Sequence, residues 1–249
     1  MERWSGRVAV VTGASSGIGA AIAQELVKKG LKVVGLDLQV QRMEEMSNSL
    51  RSSQGKLYPL KCDVRKESDI KEAFKWVKSN LGGTDIHVNN AGVADYNNLI
   101  DGPSENWRKI MEVNVLGYSI CAKEALQSMR EKGVDDGHII NMSSETAHQI
   151  PPSFFMYSAS KHAVSALTEG LRRELVNLKS KIRVTSISPG TVRTGIAEAS
   201  KTPKKMLEAF KNMPSLEPEE IANAVLYVLG TPPHVQIHEL IIKPNGPTI

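Results

Sequence analysis

Only two cysteines occur in the 249 residues, Cys62 and Cys121, far apart and without CxxC spacing. That argues against a disulfide framework or a thiolate metal site, suits a reducing compartment, and leaves both thiols as buried apolar fillers. Long apolar runs are also missing. Met1 to Gly6 leads into Val8–Val11, too short a run for a signal-peptide core or a membrane span, so the cytosol is the expected compartment. Charge of one sign is nowhere concentrated: 31 Lys+Arg against 27 Asp+Glu leave +4, with the basic residues scattered over helical patterns. A nucleic-acid surface needs a focused basic patch, and none is expected here. No carboxylate–histidine cluster has ligand spacing, so no catalytic metal is expected either. Asn141-Met142-Ser143 matches a glycosylation acceptor but falls at the end of a core-strand pattern, and it is set aside.

What is present is an ordinary globular composition, 41% hydrophobic and 23% charged, without internal repeats, low-complexity tracts or linkers. That is enough to bury one α/β core, and a single domain over residues 1–249 is expected. Short β-branched runs alternate with stretches of helical period, the pattern of βαβ units on a parallel sheet. Strands are expected at Arg7–Val11, Lys32–Leu36, Lys56–Cys62, Asp85–Val88, His138–Met142, Arg183–Ile187 and Gln236–Ile242. Helices are expected at Ile18–Lys29, Gln41–Ser52, Glu67–Leu81, Ser104–Lys132, Phe155–Asn177 and Pro218–Leu229. Ser104 is an N-cap candidate, and Pro218 with two glutamates opens the last helix. The expected fold is therefore a seven-stranded parallel sheet flanked by helices on both faces. The long irregular stretch Gly190–Glu217 is expected to cover a ligand.

Thr12-Gly13-Ala14-Ser15-Ser16-Gly17-Ile18-Gly19 follows the first strand and opens the first helix. Gly13, Gly17 and Gly19 lie where the chain turns tightly, and Ser15, Ser16 and Ile18 bring backbone N–H groups and a helix N-terminus towards an anionic pyrophosphate. The same residues match G-x-S-x-G, the nucleophile elbow of hydrolases. An elbow serine needs an oxyanion N–H from the loop after an earlier strand, and no strand precedes this one. Cofactor binding is the favoured reading. At the end of the second strand stands Asp37, whose carboxylate suits an adenosine ribose 2′-OH and repels a 2′-phosphate, which favours NAD over NADP. Leu38 adds no compensating positive charge, and Arg42 one helical turn on is a solvated charge or a phosphate contact.

Tyr157 and Lys161 open a helix at four-residue spacing and share a face. A free phenol is a poor base at neutral pH, and bringing it from about 10 to about 7 takes roughly 4 kcal/mol, which a nearby cation helps to supply. Ser144 lies just past the fifth strand, at the carboxyl edge where open parallel sheets bind ligands, and its hydroxyl suits a substrate oxygen while Tyr157 exchanges a proton with it.

Taken together, the Thr12–Gly19 turn, Cys62-Asp63-Val64, Asn89-Asn90-Ala91-Gly92, Asn114, Ser144, Tyr157-x-x-x-Lys161 and Pro189-Gly190 resemble the short-chain dehydrogenase/reductase superfamily over nearly the whole chain. The resemblance implies a single-domain Rossmann fold and an NAD(P)-dependent oxidoreductase acting on CH-OH groups. It implies Tyr157 as general acid/base, Ser144 polarising the carbonyl, Lys161 on the nicotinamide ribose and lowering the tyrosine pKa, and Asn114 holding a relay water. Asp63 and Val64 would flank the adenine, Asn90, Ala91 and Gly92 would line the cofactor, and Pro189, Gly190, Val192 and Thr194 would meet its nicotinamide end. Met1-Glu2-Arg3-Trp4, Asp135-Asp136-Gly137-His138-Ile139-Ile140 and Ser188-Pro189-Gly190 resemble an animal subgroup that takes in dehydrogenase/reductase family member eleven and the insect farnesol dehydrogenases. That subgroup typically uses NADP and has Ala-Arg where this chain has Asp37-Leu38. The resemblance further implies a homodimer or homotetramer through the helices at Ser104–Lys132 and Phe155–Asn177.

The pocket that varies in the family maps onto Ala94–Asn97, Glu145–Phe155 and Gly195–Met213, where Tyr96, Phe154, Ile196 and Phe210 predict apolar walls and His148 a polar contact. The favoured function is oxidation of a hydrophobic alcohol, an isoprenoid such as farnesol, with NAD. The alternatives are NADPH-dependent reduction of carbonyls or steroids, and a retired enzyme that binds a dinucleotide without turnover.

Overall fold

The computed structural model describes residues 1–246. Strands β1 (Val8–Thr12), β2 (Lys32–Asp37) and β3 (Lys56–Lys61) alternate with helices α1 (Gly17–Lys28), α2 (Val40–Ser49) and α3 (Glu67–Leu81). Then come β4 (Ile86–Asn89), α4 (Ser104–Met111), α5 (Tyr118–Lys132), β5 (His138–Met142), α6 (Phe155–Asn177) and β6 (Arg183–Pro189). The short α7 (Ile196–Ala199) and α8 (Lys204–Asn212) precede α9 (Pro218–Gly230) and β7 (Glu239–Ile242). Among the described residues the strands form one seven-stranded parallel sheet in the order β3-β2-β1-β4-β5-β6-β7. The order reverses between β1 and β4, which opens a crevice outside the carboxyl ends of the strands at that point.

Every residue of β1 is buried because the sheet is covered on both faces, so the strand reads as a continuous apolar run. Its side chains alternate between the two faces. Ala9 and Val11 pack with Ile22 and Leu26 of α1 and with Val225 and Val228 of α9. Val8 and Val10 pack with Ile70 and Phe74 of α3 and with Cys121 and Ala125 of α5. Each buried Val, Leu, Ile or Phe contributes about 1.5–3 kcal/mol relative to exposure, and these contacts fix the carboxyl edge of β1 against its two helical layers. Both cysteines are buried and unpaired. No described helix is long and apolar enough to cross a membrane, and no group of three or more His, Cys, Asp or Glu is placed to hold a metal among the described residues.

Four elements differ from the sequence reading. The single helix expected at Ser104–Lys132 is interrupted by a π-helical turn at Glu112–Gly117. Ser104 is its first helical residue and caps nothing; Pro103 takes the cap position. At α9, Pro218 stands at the first helical position, and the Glu217 N–H donates to Glu220 Oε2 at 2.8 Å, so the helix start was legible. The last strand begins at Glu239 because Gln236 pairs by its side chain instead: Nε2 donates to Val184 O at 2.6 Å and Oε1 accepts from Val184 N at 3.3 Å. The stretch Gly190–Glu217 contains α7 and α8 and is cinched at its base, where Arg193 N–H donates to Leu216 O and Leu216 N–H to Thr191 O, both at 2.8 Å.

His87, on β4, is wholly buried against Phe74, with Nε2 at 2.9 Å from Asn89 Oδ1. Burial pushes its pKa down to about 4. The unfolded chain therefore binds more protons than the folded one between about 6.5 and 4, and stability contributed by neutral His87 is lost as pH falls through that window, by about 1.4 kcal/mol per pH unit. In urea unfolding at pH 6 and pH 5, His87→Gln should show a pH slope shallower than the parent's by about that amount; equal slopes would remove His87 from the acid sensitivity.

Candidate active site

The turn after β1 is built by backbone fit. Gly13 has φ +67°, and a Cβ there would meet Ala91 Cα at 2.8 Å; a Cβ on Gly19 would meet Gly13 O at 2.1 Å and Asn90 Nδ2 at 2.4 Å. The adjoining loop is tied to the same turn: Thr12 Oγ1 accepts from Asn90 N–H at 2.9 Å and Ala91 N–H at 3.0 Å, and Asn90 Nδ2 donates to Thr12 O at 3.0 Å. Ser16 occupies the N-cap position of α1 but makes no side-chain cap, so the first N–H groups of the helix keep their capacity for an anion. Gly17 has φ +53°, a conformation that L side chains rarely adopt, and a Cβ there would crowd the Thr194 side chain at 3.0 Å.

The cleft that begins at this turn runs along the carboxyl edge and has a volume of about 1450 Å³. Single drug-sized ligands occupy about 300–1,000 Å³, so it has room for a dinucleotide and a second molecule. At its β2 end Asp37 accepts from Ser15 N–H at 3.2 Å through Oδ2 and from Gln39 N–H at 3.0 Å through Oδ1. Leu38 beside it is 54% exposed and brings no charge. Asp63 is clamped by Arg65, whose Nη2 lies 2.6 Å from Oδ2, and this bond holds the carboxyl below its ordinary pKa. Val64, Ala91, Gly92, Pro189, Gly190 and Val192 continue the wall. Uncapped N–H groups, glycine positions that exclude Cβ atoms and a backbone-fixed carboxylate together fit a dinucleotide.

The other end carries Ser144, Tyr157 and Lys161. Ser144 begins a 3-10 turn, and its Oγ accepts from Thr146 N–H at 3.2 Å, which turns the hydroxyl hydrogen away from that turn. Ser144 stands close enough to Tyr157 to favour its phenolate. Lys161, 3% exposed, donates from Nζ to the Met142 carbonyl at 2.9 Å. Burial dominates both ionisations: it pushes the Tyr157 phenol up to about 12 and the Lys161 ammonium down to about 7. The depression expected of Tyr157 was assigned to Lys161 together with a positively charged nicotinamide ring, and the protein's own groups act on the phenol without that ring. In the protein's own field, desolvation of the phenolate outweighs the opposing effect of Ser144.

Asn114 and Gly19 do not line the cleft; they support it. Asn114, wholly buried in the π turn, accepts from Val93 N–H at 2.9 Å and donates to Ser160 Oγ at 3.0 Å, joining the cleft loop to α6. Phe154, Ile196 and Phe210 line the cleft under α7 and α8. Tyr96 stands behind them, edge-on to Phe154 at 5.5 Å between centroids. His148 is the clear departure: its ring bonds Glu239 Oε1 at 2.8 Å, outside the cleft lining, because the carboxylate on β7 draws it away. Sequence reasoning passed over Asn106, Lys109, Ile110 and Val113, which also line the cleft; their three- and four-residue spacing was the available signal.

Fold and site define an NAD(P)-dependent oxidoreductase acting on CH-OH groups. The short chain dehydrogenase family profile matches residues 7–205, and the chain belongs to that family. It is similar to dehydrogenase/reductase SDR family member 11 of Bos taurus, 50% identical over 251 residues with 98% of each chain covered. It is also similar to farnesol dehydrogenase of Aedes aegypti, 49% identical over 250 residues with 99% of each covered. Among solved structures, a serine dehydrogenase complexed with NADP+ matches at TM-score 0.85 and 28% identity over 94% of each chain. An alcohol dehydrogenase of the archaeon Thermococcus sibiricus complexed with 5-hydroxy-NADP matches at 0.83 and 29% over 95% of each.

Because the added methyl would press on backbone, Gly19→Ala should lose about 1–3 kcal/mol or more. Gly170 on α6 has nothing within 4 Å of a built Cβ, and Gly170→Ala should gain about 0.5–1 kcal/mol. Urea unfolding of the pair tests the packing account, which fails if Gly19→Ala is as stable as the parent.

Proposed function

We propose that the protein oxidises a hydrophobic alcohol, an isoprenoid such as farnesol, with NAD. Asp37 carries the cofactor part of this reading. Both of its oxygens are held by backbone N–H groups at the mouth of the cleft, where a ribose 2′-OH is welcome and a 2′-phosphate is repelled. The substrate part is supported by the apolar wall of Phe154, Ile196 and Phe210 and by the similarity to a protein named farnesol dehydrogenase.

In this mechanism the bound nicotinamide supplies the hydride acceptor and, when oxidised, a positive charge. Ser144 donates its hydroxyl hydrogen to the substrate oxygen and orients it. Tyr157 takes the alcohol proton as the hydride leaves, and Lys161 binds the ribose and stabilises the phenolate that Tyr157 must present. Asn114 holds the π turn against α6 so that the Tyr157–Lys161 face keeps its place, and it also serves the water of the proton relay. Residues 190–217 form the substrate-binding loop of one catalytic domain, working in the cytosol. A homodimer or homotetramer uses the helices from Ser104 to Lys132 and from Phe155 to Asn177, which expose Leu116 and Leu167.

A second reading, NADPH-dependent carbonyl reduction, is favoured by one observation. Arg42 lines the cleft near Asp37 and forms no ion pair among the described residues, so it is free for a phosphate. The test is a panel of farnesol, a steroid alcohol and a small alcohol with each cofactor, read by absorbance of the reduced nicotinamide. The expected result is farnesol turnover with NAD preferred, and a reversal of preference by at least about tenfold, worth 1.4 kcal/mol, in Asp37→Ala/Leu38→Arg. Preference of the parent protein for NADP at low concentration would refute the cofactor assignment.

A further inference from the structure

The π turn and α6 face each other through two pairs at four-residue spacing, Asn114 with Tyr118 and Tyr157 with Lys161. One contact between them, Asn114 to Ser160, has been described. The other involves Tyr118, which is 4% exposed and is the first residue of α5. Its hydroxyl donates to the Met142 carbonyl at 3.0 Å, the same oxygen that accepts from Lys161 Nζ at 2.9 Å. The ammonium also lies 5.4 Å from the Tyr118 ring centroid and 5.6 Å from that of Tyr157, so it is flanked by two aromatic rings.

We propose that Tyr118 is a positioning residue for the reaction: its hydroxyl and ring together hold the Lys161 ammonium at the Met142 carbonyl and so fix where Lys161 stands relative to Tyr157. A carbonyl oxygen offers two lone pairs, and with Tyr118 on one of them Lys161 has a single direction of approach. The ring faces attract a cation even where water is excluded, and the attraction strengthens on desolvation. Nothing stronger competes. No carboxylate pairs with Lys161 among the described residues; the groups that meet it are Tyr118 from α5, Tyr157 from its own helix, the Met142 carbonyl from β5 and the backbone at Gly92. Tyr118 follows the π turn directly and stands four residues after Asn114, so the two side chains share the inward face. Met142 immediately precedes Ser143 and Ser144, so the carbonyl that Tyr118 fixes belongs to the strand end that carries the serine.

The functional consequence rests on the assignment of Lys161 given above, and the experiment separates the two. In the full chain, carrying lysine labelled with carbon-13 in the side chain, Lys161 is assigned by comparison with Lys161→Met, and its titration is followed in Tyr118→Phe and Tyr118→Leu beside kcat and KM. Removal of the ring in Tyr118→Leu should lower the Lys161 midpoint by about half a pH unit or more. Tyr118→Phe, which loses only the hydroxyl, should lower kcat at least about threefold with KM for the alcohol nearly unchanged, as expected when a transition-state contact is mispositioned. If both variants keep the Lys161 midpoint and kcat of the parent while only the melting temperature falls, Tyr118 is merely structural and the proposal is overturned. If Tyr118→Leu does not fold, an unchanged kcat and midpoint in Tyr118→Phe overturns it. Turnover retained by Lys161→Met would instead refute the role given to Lys161, and the titration would still decide whether Tyr118 holds it.

Discussion

The ammonium of Lys161 is buried and no carboxylate among the described residues answers its charge, and much of the site's construction follows from that constraint. A charge so placed survives only if dipoles and ring faces meet it, because desolvation of an unpaired ammonium is costly. The carbonyl of Met142 and the rings of Tyr118 and Tyr157 fill that need. To deliver them, three elements must end or begin within one small volume: β5 at Met142, α6 just before Tyr157, and α5 at Tyr118. Asn114 within the π turn and Tyr118 just after it, four residues apart, are the side chains that this stretch sends to α6 and to the end of β5.

The same burial sets the chemistry. Tyr157 is pushed up to about 12 and Lys161 down to about 7, so the protein's own field keeps both groups nearer neutral than an active base and its cation require. A positive charge brought into the cleft changes that balance, which couples proton transfer to the presence of the oxidised cofactor. The far end of the cleft works by the opposite principle. Asp37 is held by two backbone N–H groups at the edge of solvent, where its charge costs little and, in the proposed function, would filter what the adenosine end carries.

The seven-stranded parallel sheet was legible because short β-branched runs, buried along their whole length in β1, alternate with stretches of helical period. The glycine turn was legible because only glycine fits where a Cβ would strike Gly13 O or Ala91 Cα. The π turn was not, since Glu112–Gly117 keeps a helical pattern and the extra residue leaves no compositional mark. Gln236 looked like strand because its side chain imitates the ladder that its backbone does not make. His148 was drawn to the pocket by its nearness to Ser144 in sequence, whereas its partner, Glu239, lies on the last strand and is beyond the reach of local spacing. The helix α8 escaped notice although Met206 and Phe210 stand one turn apart after Pro203; none of its residues is fully buried, so its apolar stripe is short and faint.

The central claim is that proton transfer at the carboxyl edge passes through Tyr157, with positive charge lowering a phenol that burial alone raises. The most direct measurement is the pH dependence of alcohol oxidation at saturating NAD for the parent protein and Tyr157→Phe. The account predicts a rate that rises with pH through one ionisation lying well below about 12, and a loss of at least about 10²-fold without that limb in Tyr157→Phe. A flat profile, or the same profile and rate in Tyr157→Phe, would contradict it.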